Sequence, residues 1–352
     1  MTRNSLFAPG PQMFSGGVKT FMTNLHAYLG SKEVTVSHSP FRSRVLFFPI
    51  HFERHVVDYV HSRGGRIIQR LDGIYYPQKH GEAFEKINKP VKDIYLHKSH
   101  HIVFQSEHSR DQCFTLFGEK RIDEYSIIVN GVNKALFKPS NVEPIGKRKF
   151  KLVTTGVYRN VDMVEPVIMA LDQLVSAYDF ELHLVGPVVN DELKPFLDRK
   201  YLKNYATHGL EETAECLRKC DLFIYSHLNP PCPNSVVEAV SCGLPVVGYD
   251  SGAMRELCHF NTQLLAPVSQ DIFQTYDQFK PELLAEKLSY AMSHFEEVKK
   301  TALAHAHLYD FESCGQQYLE IFESADTAFS PGFHTVSEDV VFLWQALKNK
   351  LN

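Results

Sequence analysis

The chain has 352 residues and a mass of 40.2 kDa, more than one ordinary core needs, so two domains are expected. Hydrophobic residues make up 44% and charged residues 22%, which excludes wholesale disorder, and no run approaches the roughly 20 apolar residues that span a bilayer. The net charge of −4 hides an asymmetry, because residues 1–137 hold 18 Lys/Arg against 12 Asp/Glu and the remainder holds 19 against 29.

The first residues, Met1-Thr2-Arg3-Asn4-Ser5-Leu6-Phe7, contain no apolar signal core, and Pro9-Gly10-Pro11 ends the segment. A cytoplasmic location is the expectation. The basic first half leaves peripheral contact with a membrane surface or an anionic acceptor open, beside the plainer reading of scattered solvated charge. No dense Lys/Arg run with interleaved aromatics appears, so nucleic acid is not an expected partner.

Short β-branched or aromatic runs alternate with amphipathic stretches. Strands are expected near 5–8, 34–37, 45–50, 66–70, 102–106 and 126–129, with helices over 18–29, 53–63 and 109–117. Residues 138–150 carry two prolines, a glycine and a charge cluster, and read as an interdomain linker between a domain at 1–137 and one at 151–325. The alternation then restarts, with strands at 151–155, 181–185, 205–208, 222–225 and 245–249. Helices are expected at 161–177, 191–199, 211–219, 235–242 and 254–257. After Pro281 the pattern is helical to about Ala325. A tail at 326–352 follows, with Thr335-x-x-Glu338 as a capping box before the apolar stripe Val340, Leu343, Trp344, Leu347 and Leu351. That stripe suits docking back on the protein, a homo-oligomer contact or a membrane-surface anchor. Two successive βαβ sets imply an α/β fold of two Rossmann-like domains facing across a cleft.

The seven cysteines contain no C-x-x-C pair, so neither a disulfide framework nor a zinc ribbon is indicated. Cys216 and Cys220, at i and i+4 on a helix, could bind metal in principle but read more simply as half-buried thiols.

In open α/β sheets, ligands sit at the carboxyl ends of strands, against helix N-termini. The first such turn places Gly16-Gly17 at a helix start, where the absence of Cβ lets backbone approach a diphosphate or sugar; a tight turn is the plain alternative. No G-x-G-x-x-G or P-loop occurs. In the second half, the run from Pro230 to Ala253 has a proline-stiffened loop, a helix start at Asn234-Ser235, Glu238 one turn inside, a Gly243 stop and a buried strand. Asn and Ser suit N-caps whose free N–H groups hold phosphate. Glu238 stands among apolar neighbours and must either reach solvent or accept hydrogen bonds from a partner such as ribose hydroxyls; the helix dipole favours its ionised form.

This stretch resembles the signature of GT-B glycosyltransferases, specifically the large retaining family four of nucleotide-sugar enzymes. Gly16-Gly17-Val18 looks like that family's N-terminal glycine loop, and Asn130-Gly131-Val132-Asn133 through Phe137 resembles its pre-linker segment. Leu182 to Gly186 and Cys220 to Ile224 are similar to its next strands. By that resemblance Glu238 binds the nucleotide ribose, and Arg159 is the phosphate-binding arginine. Pro230 stands where the family has its first Glu, and Asp162 or Met163 where its Lys is expected. His51 and Asp72 answer to a family position near the transferred sugar. Asp72, after a strand in Arg70-Leu71-Asp72-Gly73, is expected to face the cleft and orient the acceptor hydroxyl, with a plain Asp-Gly turn as the alternative. The resemblance implies a retaining hexosyltransferase that moves a sugar from a UDP- or GDP-sugar to a hydroxyl of a glycan, lipid-linked or small-molecule acceptor. No cofactor and no metal are expected, since no D-x-D pair occurs. The alternatives are a sugar-nucleotide epimerase or hydrolase on the same architecture, or a non-catalytic homologue serving as subunit or scaffold.

Overall fold

The computed structural model describes residues 5–140, 149–205 and 209–330. Most of the expected linker and the tail helix with its capping box lie outside the described residues. Contacts divide the chain into two compact units, Met1–Val129 with Glu312–Asn352, and Asn130–Phe311.

In the first unit the order is β1 (Leu6–Phe7), α1 (Gly16–Ser31), β2 (Val45–Pro49), α2 (Arg54–Ser62), β3 (Arg66–Leu71), α3 (Pro77–His80), α4 (Ala83–His97), β4 (His101–Phe104), α5 (Glu107–Phe117) and β5 (Tyr125–Ile127). The second unit holds β6 (Phe150–Thr155), α6 (Glu165–Asp172), β7 (Phe180–Val185), α7 (Lys194–Leu197), β8 (Leu202–Tyr205), α8 (Leu210–Arg218), β9 (Leu222–Tyr225), α9 (Asn234–Ser241), β10 (Val246–Tyr249), α10 (Met254–Leu257), β11 (Leu265–Ala266), α11 (Pro281–Ser293) and α12 (Phe295–His305). The last described helix, α13 (Phe311–Thr327), returns to the first unit.

The first sheet is parallel with strand order β1-β2-β3-β4-β5. Strand β2 is apolar and buried along its whole length because both faces are covered. Successive residues of β2 show the two-residue period. Phe48 and Leu46 pack with Val56, Val57 and Val60 of α2. Phe47, on the other face, meets Phe21 of α1 at 6.4 Å and Tyr318 and Phe322 of α13 at 5.7 and 5.2 Å between ring centres. The second sheet is also parallel, in the order β11-β10-β9-β6-β7-β8. Its core joins Leu152, Leu182, Leu222 and Ile224 to Ile168 and Leu171 of α6 and to Leu284 and Leu288 of α11.

Several expectations are corrected. The division falls at Val129/Asn130, ahead of the proline-rich segment, and α13 leaves the unit to which it was assigned. Residues after Asn130 are tied to the far end of the second unit: the Val132 N–H donates to the Tyr309 carbonyl at 3.1 Å and the Phe311 N–H to the Val132 carbonyl at 3.0 Å. A Cβ on Gly131 would sit 2.6 Å from Phe311 Cα, so only glycine allows this approach. The expected strand at 34–37 is a single bridge from Val36 to Leu6. The expected helix at 161–177 is a 3₁₀ turn, Val161–Met163, followed by the shorter α6, because Pro166 is accepted only in a helix's first turn. Residues 191–199 divide in the same way, with Pro195 opening α7. Helix α4 is additional. Pro90 interrupts its interior, and its buried stripe begins on a polar residue, Asn88, whose amide serves both backbone groups of Tyr75, at 2.6 and 3.0 Å. Among the described residues no helix is long and apolar enough to cross a membrane.

Candidate functional site

In the second sheet the chain runs outward from β6 through β7 to β8, then returns to place β9, β10 and β11 on the other side. The connections therefore diverge between β6 and β9, and their carboxyl ends leave the crevice where such sheets bind ligands. On the β6 side stands Gly156, whose N–H donates to the Val185 carbonyl at 3.0 Å. A Cβ on Gly156 would lie 3.6 Å from Cε1 of His227, two residues beyond β9, and the His227 ring sits 4.6 Å from that of Tyr225. Ser226 Oγ closes the gap by donating to the Met163 carbonyl at 2.7 Å.

The loop from β9 to α9 is held by its neighbours. The Asn229 N–H donates to Ser251 Oγ at 2.9 Å, the Asn229 amide donates to the Gln274 carbonyl at 2.9 Å, and the Ala253 N–H donates to the Pro230 carbonyl at 2.9 Å. Pro230 therefore fills a packing position: Gly252, at φ +59°, allows the Pro230 backbone to approach within 2.5 Å of where a Cβ would stand. Proline has no side-chain donor or acceptor, so a contact from this position to a sugar hydroxyl would have to come from backbone.

Helix α9 starts one residue earlier than expected. Pro233 occupies the N-cap, and Asn234 and Ser235 are the first two helical residues. The Asn234 side chain is engaged by Asn130, whose amide donates to Asn234 Oδ1 at 2.8 Å and to the Cys232 carbonyl at 3.2 Å. The Asn-Gly-Val-Asn segment thus positions the α9 N-terminus. Both Val236 and Val237 N–H groups donate back to the Pro233 carbonyl, at 3.1 and 3.2 Å, so the Ser235 N–H ahead of them is placed to meet an anion.

Glu238, in the middle of α9, is 7% exposed between Val237 and Ala239, both fully buried. Among the described residues its carboxylate accepts no hydrogen bond and faces no cation. Burial pushes its pKa up to about 7. Loss of solvent thus opposes the helix dipole, which favours the ionised form. Arg159 lies exposed in the loop after β6, with its carbonyl held by the Asn190 amide at 3.0 Å.

The first-unit candidates divide differently. Gly16 and Gly17 are exposed at the start of α1; Gly16 has φ +57° and open space around its Cβ position. His51 is exposed after β2. Asp72 does not present a free carboxylate. It forms an ion pair with Arg70, which is 1% exposed, and its Oδ1 accepts from the Gln105 amide at 2.7 Å. The Arg70 guanidinium also lies 3.7 Å from the centre of the Phe21 ring. Burial pushes the Asp72 carboxyl up and Arg70 pulls it back. Its place after β3 suggested an acceptor-orienting role; its partners make it the counter-ion of a buried arginine. Gly156, His227 and Asn130 went unassigned from sequence, although His227 carries the usual signal of a polar residue just beyond a strand's carboxyl end.

Residues 149–279 match the family described as Glycosyl transferases group 1, and that segment contains Gly156, Arg159, His227, Asn234, Ser235 and Glu238. No curated protein matches the chain. Among solved structures, Anabaena HepE in complex with UDP superposes with TM-score 0.69 at 16% identity, covering 91% of this chain and 99% of that one. Sucrose-phosphate synthase from Thermosynechococcus elongatus gives 0.64 at 14% identity, covering 90% and 81%. WaaG, a glycosyltransferase involved in lipopolysaccharide biosynthesis, gives 0.63 at 14% identity, covering 90% and 98%. The fold, with its two parallel sheets, is that of the GT-B glycosyltransferases.

Proposed function

We propose that this GT-B chain is a glycosyltransferase that takes a sugar from a UDP- or GDP-sugar and passes it to an acceptor hydroxyl with retention at the anomeric carbon. The observation that carries the reading is Glu238, a buried carboxylate with no partner among the described residues, on the helix that opens beside the strand-order reversal. A ribose supplies two adjacent O–H donors, which is what such an acceptor lacks. The start of α9 at Asn234 and Ser235 then faces the diphosphate, and Arg159 adds an exposed cation. Together they stabilise the negative charge that grows on the leaving diphosphate, and the diphosphate itself takes the acceptor proton. The match of residues 149–279 to glycosyl transferases group 1 and the UDP complex of HepE support a nucleotide-sugar donor.

Calorimetric titration with UDP and with GDP tests the reading, followed by a screen of nucleotide sugars scored for released nucleoside diphosphate with and without acceptor. Binding of neither nucleotide at millimolar concentration would favour the scaffold reading, and release indifferent to acceptor would favour a hydrolase.

Arg159→Ala is expected to weaken nucleoside-diphosphate binding by roughly 1.5–3 kcal/mol while leaving nucleoside binding unchanged, since the lost interaction is a charge-assisted hydrogen bond to phosphate. Equal losses for uridine and its diphosphate would remove Arg159 from that role.

Transfer is expected to proceed without added divalent cation, the helix N-terminus and Arg159 acting where other transferases use a metal. Chelation that abolishes turnover, with Mg²⁺ or Mn²⁺ restoring it, would contradict this.

A further inference from the structure

The second unit contains a cluster that the nucleotide reading does not use. Cys216 near the end of α8 and Cys220 just beyond it project their thiols toward His183 of β7. The Cys216 and Cys220 sulfurs lie 3.9 and 3.8 Å from His183 Nδ1, and all three ligand atoms fall within 4.8 Å of one another. The opposite ring nitrogen is committed: His183 Nε2 is 2.7 Å from Glu181 Oε1, and Lys203 Nζ donates to Glu181 Oε2 at 2.5 Å. With Nε2 donating its proton to Glu181, the Nδ1 lone pair is the one turned to the two sulfurs.

We propose that His183, Cys216 and Cys220 form a binding site for one Zn²⁺ ion, with water as fourth ligand and Glu181 as the carboxylate that orients the histidine. Three features carry this. First, a tetrahedral zinc with Zn–S near 2.3 Å and Zn–N near 2.0 Å has S···N edges of about 3.5 Å, so the observed separations need to close by only a few tenths of an ångström. Second, a zinc-bound histidine characteristically donates its other N–H to a carboxylate, and that partner is already in place. Third, the ligand set is chemically selective. Two thiolates and an imidazole favour zinc over the hard cations Mg²⁺ and Ca²⁺. His183 and Cys220 are buried and Cys216 is half-buried, which gives the fourth position a route to solvent.

Zinc binding releases the protons of both thiols to solvent and leaves an ion held by two thiolates and a neutral imidazole. The site ties β7 to the end of α8 and stands away from the donor loops. Cys220 precedes the first residue of β9, and His183 is level with Val153, two residues before the carboxyl end of β6. It is thus separate from the transfer site proposed above.

Full-length protein, metal-stripped under reducing conditions, is titrated with Zn²⁺ and, in parallel, with Co²⁺. The expected result is one equivalent bound per chain, with a cobalt spectrum showing thiolate-to-metal charge transfer and the visible bands of tetrahedral coordination. Zinc should also protect Cys216 from iodoacetamide, read by peptide mass mapping on the unmutated chain. Cys216→Ser should abolish the charge-transfer band or weaken zinc binding at least about 10–100-fold, and Glu181→Gln should weaken it by about 10–100-fold. Sub-stoichiometric binding, an octahedral cobalt spectrum, or rapid Cys216 alkylation unaffected by zinc would each overturn the site. Because these readouts use zinc and cobalt alone, they stand or fall independently of nucleotide binding.

Discussion

Asp72→Ala is expected to destabilise the first unit by about 3–5 kcal/mol, the cost of leaving a buried charge without its partner. Arg70 is 1% exposed and packed against Phe21, so once the carboxylate is gone its guanidinium stays buried without a counter-ion. Gln105 would also lose the acceptor at 2.7 Å that orients its amide. The measurement is urea unfolding, followed by hydrogen exchange of the β3 and β4 amides to assign the loss to this unit. The double variant Arg70→Met, Asp72→Ala should recover most of the loss, because a buried pair replaced by apolar groups is often neutral. A general base would behave in the opposite way: Asp72→Ala would unfold at the wild-type urea concentration and lose turnover. That outcome would return Asp72 to the acceptor role that its sequence position suggested.

The alternation of strands and helices was legible because fully buried parallel strands read as short apolar runs. β9 and α10 appear at their expected residues, and most other elements within one or two. Helix α4 was not, since a proline and a buried asparagine disguise its stripe. The assignment of α13 was illegible for another reason: an amphipathic pattern states that a face is buried but not by what, and Tyr318 and Phe322 find their partners in Phe21 and Phe47. The same limit applies to charged groups. Glu238 stood out from its apolar neighbours, whereas the roles of Asp72 and Cys216 depend on Arg70 and His183, whose side-chain positions only folding sets. His183 lies 33 residues before Cys216, and nothing in the i, i+4 thiol spacing points to it.

Glu238→Gln is expected to stabilise the ligand-free protein while weakening nucleotide binding, a combination that a structural carboxylate would not produce. The folded-state pKa of about 7 stands above the unfolded value of 4.5. As pH rises past 4.5 the unfolded chain releases this proton first, so the folded state loses stability through the interval up to about 7. Above pH 7 the full penalty is present, about 3 kcal/mol on this shift. Gln removes it. The variant should therefore melt higher than the parent at pH 8, and the difference should shrink toward zero at pH 4.5. Nucleotide binding runs the other way. If the ionised carboxylate accepts both ribose hydroxyls, affinity in the parent should fall as pH drops below 7, by up to about tenfold per unit, and binding should take up no proton above pH 8. In the variant the affinity should be lower by about tenfold or more, equivalent to roughly 1.4 kcal/mol, and flat with pH. A 2′,3′-dideoxy nucleotide, with no hydroxyls to donate, should bind parent and variant alike. Thermal melts and calorimetric titrations across pH 5–8 provide both readings. Earlier melting of Glu238→Gln with undiminished nucleotide affinity would make Glu238 a structural residue and remove the observation on which the donor site rests.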